Sequence, residues 1–389
     1  MRGLGIGLIL LSLVYLGLAY PVSAETPGPV FIPASAKPQE TAGISLPLNV
    51  LREATKLVKA QSPAQAVRDY LRTTDPYSTY ISREERRVLD DLDRPDYAGV
   101  GMEVIQASSK DLLCVPFDDG PAHKAGVRFG DRLLAVDGER VGGLSLELLS
   151  PLVRGPAGKA VVLTVAGADG RERTAKVVRA QIHRQAVESK FDGGVLRIRI
   201  YRFENETPDL AAKGLRLGED YRKVIIDLRG NVGGELKAAV ETAALFLPPD
   251  SLVASVVRLG GEGQPFWHRV SPTGERYAGR RQIIIWQDQM TASASEVFIA
   301  ALTHYGFAVT IGAPTFGKGM VQGTFPAPDG GIFIITTGEL LTPDGTSFNN
   351  RGLPPRIHLR DSYREKDYFA RTKEAFAAFS ELATGRMNP

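Results

Sequence analysis

Strand and helix patterns alternate over the second half of this 389-residue chain. Buried-strand patterns cover Val195–Ile200, Lys223–Arg229, Arg281–Trp286, Phe307–Gly312 and Gly331–Thr336, and helical patterns lie between several of them. Glycine-rich or serine-rich turns stand where a strand passes into a helix. This alternation predicts an α/β core whose connecting loops gather at one edge of the sheet, where ligands usually bind.

Two of these loops carry residues that suit nucleophilic catalysis. Thr291–Val297 reads Thr-Ala-Ser-Ala-Ser-Glu-Val and places two serines at the start of a predicted helix. Phe316–Gln322 reads Phe-Gly-Lys-Gly-Met-Val-Gln and follows the next predicted strand. A serine hydroxyl needs a base nearby, and a lysine held away from water can be that base. We therefore expect the two loops to meet.

Each of these motifs also has a purely structural interpretation. Ser293 and Glu296 have the spacing of a capping box, in which Ser293 would only cap the helix. Ser295 is expected to pack inside the helix, although the sequence alone leaves it open as the nucleophile. Gly230–Gly234 reads Gly-Asn-Val-Gly-Gly, which is most often a simple strand-to-helix turn. The lysine loop favours the catalytic interpretation.

Composition argues against several other functional classes. The net charge is +3 and no long Lys/Arg run occurs, so nucleic acid is not an expected partner. Cys114 is the only cysteine and the five histidines are scattered, so we expect no disulfide, no metal site and no cofactor. Gly312–Lys318 matches the opening of a phosphate-binding loop, but Gly319 stands where Ser or Thr would bind magnesium.

The N-terminus has the pattern of an export signal. Arg2 precedes an uncharged run, and small residues near Ala24 suit cleavage, so residues 1–24 are interpreted as a signal peptide. A retained membrane anchor is the alternative. Residues 25–43 contain four prolines and indicate a tether. We expect the protein in the periplasm, or else in a thylakoid lumen or outside the cell, attached to a membrane only through an uncleaved signal.

Residues 44–95 carry helix signals. Ser62-Pro63 suggests an N-cap followed by a proline at the first helical position, and Ser82–Glu85 has the spacing of a capping box. Between them lies an aromatic turn, Asp75–Tyr80. A helical platform or a dimer contact is the expected role of this region.

Residues 96–180 resemble a PDZ domain. The resemblance is carried by Gly-Pro-Ala, Ala-Gly-Val, Gly-Asp and Leu-Ala-Val-Asp-Gly in the expected order between Gly120 and Gly138. Strands are expected over Gly130–Gly138 and Lys159–Val165, joined through the Asp137-Gly138 turn.

The PDZ resemblance implies capture of a free C-terminus. Main-chain N–H groups around the glycine loop would hold the terminal carboxylate, and the peptide would add as a strand beside Met102–Ile105. The implied binding residues are Ala98, Gly99, Val100, Gly101 and Met102. A degenerate PDZ fold that serves only as a regulatory lid is the alternative.

Over Asp75–Leu359 the chain resembles the tail-specific, or C-terminal processing, proteases of peptidase family S41. The motifs follow the order of that family: Asp-Pro-Tyr-Ser-x-Tyr, a PDZ domain, Asp-Leu-Arg-x-Asn-x-Gly-Gly, Ser-Ala-Ser-Glu and Gly-Lys-Gly-x-Val-Gln. The resemblance implies a protease core of ClpP/crotonase-like βαβ units over residues 181–360. The PDZ domain would be inserted before this core, and a helical segment, 361–389, would follow it.

The resemblance also assigns catalytic roles. Ser293 would be the nucleophile, Lys318 the general base and Gln322 the residue that orients the lysine. The oxyanion would be held by the main-chain N–H groups of Ala294 and Gly233. Burial would lower the pKa of the lysine by about 3 units, with Phe316 and an apolar face of the nucleophile helix (Val297, Phe298 and Ala301) as the dry wall.

The sequence thus predicts an exported serine endopeptidase that uses a Ser–Lys dyad. Expected partners are protein substrates with apolar C-terminal tails, an adaptor or activator protein, and further copies of the chain in a homo-oligomer. The alternative is an exported PDZ scaffold or adaptor whose core has lost activity. Ser293, Lys318 and Gln322 occur together, which favours the enzyme.

Overall fold

The structure is a computed structural model that describes residues 47–91, 97–106, 111–182, 186–217, 221–259, 266–269, 277, 281–359 and 365–379. The expected signal peptide (1–24) and tether (25–43) lie outside these residues. No helix within the described ranges is both long enough and apolar enough to cross a membrane.

The N-terminal region is mostly helical and adds one strand to the core. Ser82 and Glu85 form the predicted capping box, since Ser82 N–H donates to Glu85 Oε2 at 2.8 Å. The serine cap expected at Ser62 is absent, because Pro63 directly precedes the helix and no side chain caps it. The elements are α1 (Pro47–Lys59), α2 (Ala64–Arg72), β1 (Thr79–Ile81) and α3 (Arg83–Asp91).

The next segment forms an antiparallel sheet with the PDZ fold. Its elements are β2 (Tyr97–Ala98), β3 (Met102–Gln106), β4 (Leu112–Pro116), α4 (Pro121–Lys124), β5 (Arg132–Val136), β6 (Glu139–Arg140), α5 (Leu146–Val153), β7 (Gly155–Pro156), β8 (Ala160–Ala166) and β9 (Glu172–Val178). The strand order is β3-β4-β5-β8-β9, with β6 beside β5. Among the described strands β3 is therefore at the edge, where an added peptide strand can pair.

One prediction for this sheet is wrong. The Asp137-Gly138 turn has positive φ at both residues, as expected, but it leads β5 into the short β6 rather than into β8. Strands β5 and β8 do pair antiparallel, after the intervening helix α5.

The remaining elements form the α/β core. They are β10 (Val187–Asp192), β11 (Val195–Ile200), α6 (Thr207–Leu215), β12 (Lys223–Asp227), α7 (Leu236–Ala244), β13 (Leu252–Arg258), β14 (Phe266–Arg269), β15 (Gln282–Gln287), α8 (Ala294–His304), β16 (Ala308–Gly312), β17 (Met320–Pro326), β18 (Ile332–Leu341), β19 (Ile357–His358) and α9 (Glu365–Ala377). Strand β11 has the predicted limits, and the predicted alternation of strands and helices is confirmed.

Two sheets organise this core. The first has the order β10-β11-β12-β15-β16-β19 and is parallel except for β10. Its alternate residues face opposite layers: Val224 and Ile226 of β12 pack in the cluster formed with α7 and α8, whereas Ile225 packs with α9. Because β12 is buried on both faces, its middle residues, Val224–Ile226, are all apolar.

The second sheet joins the N-terminal region to the core. Its order is β1-β18-β13-β14, with β17 also paired to β18. Strand β1 pairs antiparallel with β18, so that Thr79 lies opposite Ile334 and Ile81 opposite Ile332. The turn that precedes β1 is thereby placed beside the β17–β18 pair, and β17 directly follows the lysine loop.

Candidate active site

Ser293 occupies a sharp turn between β15 and α8. Its backbone has φ 58° and ψ −119°, a conformation that residues with a side chain rarely adopt. The side chain is buried, and Oγ makes no hydrogen bond within the described residues. Strained backbone of this kind persists only where the surroundings enforce it, and it is common at active sites.

The helix-cap interpretation of Ser293 is weakened by these contacts. Ser293 and Glu296 occupy the positions of a capping box, and Ser293 N–H donates to Glu296 Oε2 at 2.8 Å. The Ser293 hydroxyl faces the Glu296 main chain as in a capping box, but Oγ has no partner with hydrogen-bond geometry within the described residues. Ser295, the alternative nucleophile, is fully buried and donates its hydroxyl to Asn231 O at 3.1 Å. Ser295 therefore fastens the turn to the rest of the core.

Glu296 connects the serine turn to the lysine loop. Its Oε1 accepts hydrogen bonds from the Thr315 hydroxyl (2.5 Å) and Gly317 N–H (2.7 Å), and its Oε2 accepts from Ser293 N–H and Lys318 N–H (2.9 Å). Because a single oxygen accepts both of the latter, the two main-chain nitrogens lie no more than about 6 Å apart. Burial raises the pKa of Glu296 to about 7, although the four hydrogen bonds oppose the shift.

Lys318 is buried, with 6% of its surface exposed. Burial lowers the pKa of its amine to about 8 from the ordinary 10.5. The negative charges of Glu147 and Glu296 oppose this decrease, and the positive charge of Arg202 reinforces it. About a tenth of the amine is thus uncharged at pH 7, far more than at the ordinary pKa of lysine, and a general base must be uncharged.

The residues predicted to form the wall around Lys318 pack in apolar clusters, and the structure adds an aromatic ring near the amine. Phe316 packs with Ile105 and Val115 of the PDZ segment, and the predicted helix face lies in the main core. The aromatic ring that the structure places near Lys318 Nζ is that of Tyr77, whose centroid is 5.7 Å away. Tyr77 comes from the N-terminal turn, so the wall is built by a contact between elements that are far apart in sequence.

Gln322 lies in β17, four residues after Lys318, and is buried. Opposite it on β18 stands Thr336, and the strand register shifts between Val321 and Gln322. Its Nε2 makes no hydrogen bond within the described residues. The role of Gln322 in orienting the lysine stays a prediction.

The two predicted oxyanion donors lie side by side. Gly233 has φ +107°, and a Cβ there would meet Ser293 Cβ at 2.8 Å and Ala294 N at 3.1 Å, so only glycine fits. Gly233 N–H, however, donates to Asn231 Oδ1 at 2.9 Å. In this arrangement that donor is engaged, because the side chain of an asparagine readily bonds the main chain two residues on.

Asn231 is a functional residue that the sequence reasoning overlooked. Its carbonyl oxygen accepts from Ala292 N–H at 3.0 Å and from the Ser295 hydroxyl, while its Nδ2 donates to Ile200 O at 2.9 Å. It thus holds the glycine turn against the serine turn. Its position inside the Gly-Asn-Val-Gly-Gly motif could have indicated that Asn231 shapes this turn.

The predicted carboxylate loop of the PDZ segment is only partly free to bind a peptide. Ala98 pairs with Gly155 in the β2–β7 ladder, and Gly99 N–H donates to Ala180 O at 3.1 Å. That N–H is therefore not available to a terminal carboxylate here. Among the predicted residues this leaves the N–H groups of Val100, Gly101 and Met102.

Gly101 shows why this loop needs glycine. Its φ is +68°, and a Cβ would lie 2.6 Å from Pro121 Cδ. The carbonyl groups of Val100 and Gly101 accept hydrogen bonds from Ala122 N–H and Phe117 N–H. Their engagement fixes the loop at the start of the edge strand β3.

The PDZ segment also reaches toward Lys318. Glu147 of α5 is buried, and burial raises the pKa of its carboxyl group while the charge of Lys318 lowers it. The next residue, Leu148, packs on Ile81 and Ile334. Glu103 of β3 lies 3.7 Å from Arg202, whose side chain is likewise buried. No local sequence signal points to these contacts.

Metal-assisted chemistry has no obvious ligand set here. Within the described residues no group of three or more His, Cys, Asp or Glu side chains is arranged to hold a metal ion. His304, the last residue of α8, is exposed at the opposite end of the helix from Ser293. The side chains assembled around Ser293 suit acyl transfer through a serine and a lysine.

Comparisons with known proteins agree with this geometry. Residues 194–359 match peptidase family S41, and residues 118–167 match the PDZ domain family. A probable CtpA-like serine protease of Staphylococcus haemolyticus (strain JCSC1435) is 32% identical over 283 residues, which are 72% of this chain and 56% of that relative. Its counterpart from Staphylococcus aureus (strain bovine RF122 / ET3-1) is 33% identical over 287 residues, 73% of this chain and 57% of the relative.

The chain thus spans little more than half the length of these curated relatives. A solved structure described as a photosystem II D1 C-terminal processing protease superposes with a TM-score of 0.66 at 22% identity, over 85% of this chain and 97% of that one. That likeness establishes the common fold. Together with the family matches, it shows that residues 194–359 carry a peptidase family S41 core and that residues 118–167 belong to a PDZ domain.

Proposed function

We propose that the protein is an exported serine endopeptidase that cleaves proteins recognised through their C-terminal tails. Ser293 is the nucleophile, Lys318 the general base and Gln322 the residue that orients the base. The PDZ domain recruits the tail at the edge strand β3. Protein substrates with apolar tails, an adaptor or activator, and a homo-oligomeric state belong to the same proposal, as does a periplasmic or equivalent extracytoplasmic location.

The reaction follows from the chemistry of these groups. Neutral Lys318 takes the proton of the Ser293 hydroxyl as Oγ forms a bond to the carbonyl carbon of the scissile amide. The resulting oxyanion is stabilised by main-chain N–H groups at the start of α8 and in the glycine turn, where each donor is typically worth about 3–4 kcal/mol. The Lys318 ammonium then protonates the leaving amine. Neutral Lys318 then deprotonates a water molecule as its oxygen bonds to the acyl carbon. The bond from that carbon to Ser293 Oγ breaks, and Oγ takes its proton back from the Lys318 ammonium.

The observation that carries this proposal is the double hydrogen bond at Glu296. One buried carboxylate oxygen binds the main chain of both Ser293 and Lys318. A helix cap with an unrelated lysine nearby would not need such a connection. The lowered pKa of Lys318 supports the same interpretation.

We further propose that the PDZ domain gates the site. In this arrangement Ser293 Oγ makes no hydrogen bond within the described residues, and Gly233 N–H is bound to Asn231. Catalysis therefore requires a rearrangement of both. The ion pair of Glu103 with Arg202 and the electrostatic interaction of Glu147 with Lys318 offer a route by which tail binding drives this rearrangement.

The dyad is tested with a loosely folded protein that bears an apolar C-terminal tail. Wild type is compared with Ser293→Ala, Lys318→Ala and the matched control Ser295→Ala, and folding is checked by thermal melting. We expect cleavage to be lost in the first two variants and kept in the control. Cleavage that survives Ser293→Ala contradicts the assignment of the nucleophile.

The inactive-scaffold alternative is separated by the same assay. If wild type binds the tail with no cleavage, and an added activator protein does not restore it, the enzyme proposal fails.

Gating is tested by deleting residues 97–179. A folded deletion variant with unchanged selectivity for tailed proteins contradicts recruitment and gating, but leaves the dyad intact.

A further inference from the structure

Tyr77 lies near Lys318 although it belongs to the N-terminal region of the chain. It belongs to the aromatic turn between α2 and β1, to which the sequence suggests only a platform role. Its ring centroid lies 5.7 Å from Lys318 Nζ, within the range of a cation–π contact. Burial raises the pKa of its phenol, with further contributions from the charges of Asp75 and Glu296. The ring is therefore uncharged over the working pH range.

The turn that carries Tyr77 is fastened to the strand beside Gln322. Asp75 Oδ1 accepts hydrogen bonds from Tyr77 N–H (2.8 Å), Ser78 N–H (2.9 Å) and the Thr336 hydroxyl (2.7 Å). Thr336 N–H donates in turn to Ser78 Oγ at 3.0 Å. Since Thr336 pairs with Gln322 across β17 and β18, the tyrosine is held in register with the predicted catalytic residues.

A simple packing role does not explain this placement. The apolar cluster of the N-terminal platform contains Tyr80 and Tyr70 together with residues of α1, α2 and β18. Tyr77 lies outside that cluster, and its ring is directed to the lysine instead.

We propose that Tyr77 is a positioning residue of the dyad, whose ring covers Lys318 Nζ and keeps water from the amine that takes the Ser293 proton. This role rests on the proposed function. It makes the N-terminal turn part of the active site, although the turn precedes the PDZ domain in sequence.

Two effects of the ring on the amine have opposite signs. Its face attracts the ammonium form, which at a desolvated site is worth about 2 kcal/mol, or about 1.5 pKa units. Its bulk removes water, and desolvation of a buried lysine lowers the pKa by up to about 3–5 units. Exclusion of water is therefore the larger effect. The other charged groups that face the amine, Glu147, Arg202 and Glu296, stay unchanged in the test below.

The first test does not depend on activity. The Lys318 amine is titrated by NMR with carbon-13-labelled lysine in a Ser293→Ala background, and its signal is assigned by its absence in Lys318→Met. Tyr77→Ala is expected to raise the pKa by about one unit, whereas Tyr77→Phe leaves it unchanged. Tyr70→Ala, which removes a ring from the same platform, is the control and is expected to leave it unchanged. Tyr77→Leu replaces the alanine variant if that variant does not fold.

The second test uses the active chain. In Tyr77→Ala the acid limb of the pH profile should move up by the same amount, so that kcat near pH 7 falls about ten-fold while KM for a tailed substrate is unchanged. A lower melting temperature with an unmoved titration and profile overturns the proposal, and so does a Tyr77→Phe variant that behaves like Tyr77→Ala. If wild type cleaves nothing, the proposed function fails while the NMR titration still decides the role of the ring.

Discussion

Lys318 and Glu296 are two buried ionisable residues of opposite charge whose pKa values are shifted toward each other. Burial lowers the pKa of Lys318 to about 8 and raises that of Glu296 to about 7, because each environment disfavours the charged form. The Glu296 carboxylate nevertheless accepts four hydrogen bonds, and these bonds hold the serine turn and the lysine loop together. The burial that lowers the pKa of Lys318, the proposed base, therefore also makes Glu296, which connects it to Ser293, sensitive to pH.

The pH dependence of catalysis should report the lysine. Because the base must be neutral, kcat/KM is expected to rise with pH through an apparent pKa near 8 and to level off above it. Initial rates on a short peptide between about pH 6 and about pH 10 measure this limb. Lys318→Arg, which stays charged over that range, should be inactive throughout. A rate that is constant over the range, or that rises only near the ordinary pKa of lysine, contradicts the assignment.

Glu296→Gln should uncouple the two loops. The amide has one oxygen and an NH2 group where the carboxylate accepts from four donors, so at least one main-chain N–H loses its partner at a cost of about 1–3 kcal/mol. We expect a lower melting temperature and a decrease in kcat of at least about ten-fold, since misplacement of the dyad is costly. Glu241→Gln, on the exposed face of α7, is the control. Wild-type kcat in Glu296→Gln would show that the connection is dispensable.

Among the elements, those with local sequence signals could be predicted. Strands β12, β15 and β16 are apolar runs bounded by turns, and β11 alternates apolar residues with arginine. Gly306, which has positive φ, follows the end of α8. The Asp137-Gly138 turn was assigned to the wrong strand, because a two-residue turn signal does not say how long the next strand is. Ser62 is not the cap, since its neighbour Pro63 already occupies that position.

The parts of the site that the sequence did not reveal are contacts between distant elements. Ser293, Lys318 and Gln322 stand in short motifs that can be read locally. Tyr77 and Glu147 reach the same site from the N-terminal turn and from α5. Tyr77 stands in the Asp-Pro-Tyr-Ser-x-Tyr motif, but neither local sequence shows that the side chain lies near Lys318. Their positions follow from strand pairing and domain docking, which a local pattern does not contain.

At the level of α5, Glu147→Gln should loosen the contact between the PDZ domain and the active site. The charge of Glu147 attracts the Lys318 ammonium, so its removal weakens the closed arrangement. We expect basal cleavage of a short peptide with a blocked C-terminus to rise several-fold, with little change for a tailed protein. Glu139→Gln in the exposed β6 is the control. Unchanged basal cleavage at an unchanged melting temperature contradicts the gating role of α5.

At the scale of the whole molecule, α9 is joined to the central sheet by an ion-pair network that runs from buried Asp227 to exposed Glu365. Arg197 of β11 and Arg229 both contact Asp227 and Glu365, and Glu365 is the first residue of α9. Trp286 packs against Tyr368 of the same helix. The family match ends at residue 359, and this helix, which follows it, is anchored in the core.

Asp227→Asn should weaken the whole fold at neutral pH. Burial alone would raise the pKa of Asp227, but the hydrogen bonds and charges of Arg229, Arg199 and Arg197 lower it to about 2 from the ordinary 3.8. A carboxyl group with a lowered pKa stabilises the folded state above pH 3.8, and this contribution is lost as the pH falls through about 2. Removing one partner of a buried ion pair costs on the order of 3 kcal/mol.

Denaturant unfolding of wild type and Asp227→Asn at pH 7 and at about pH 3 measures this contribution. We expect the difference in free energy of unfolding to be largest at pH 7 and to shrink at the lower pH, where the wild-type carboxyl group begins to take up its proton. Glu374→Gln is the matched control, since its exposed pair with Arg371 within α9 should contribute less than about 1 kcal/mol. A difference that stays constant between the two pH values would mean that packing at this position, rather than the charge of Asp227, stabilises the contact between the sheet and α9.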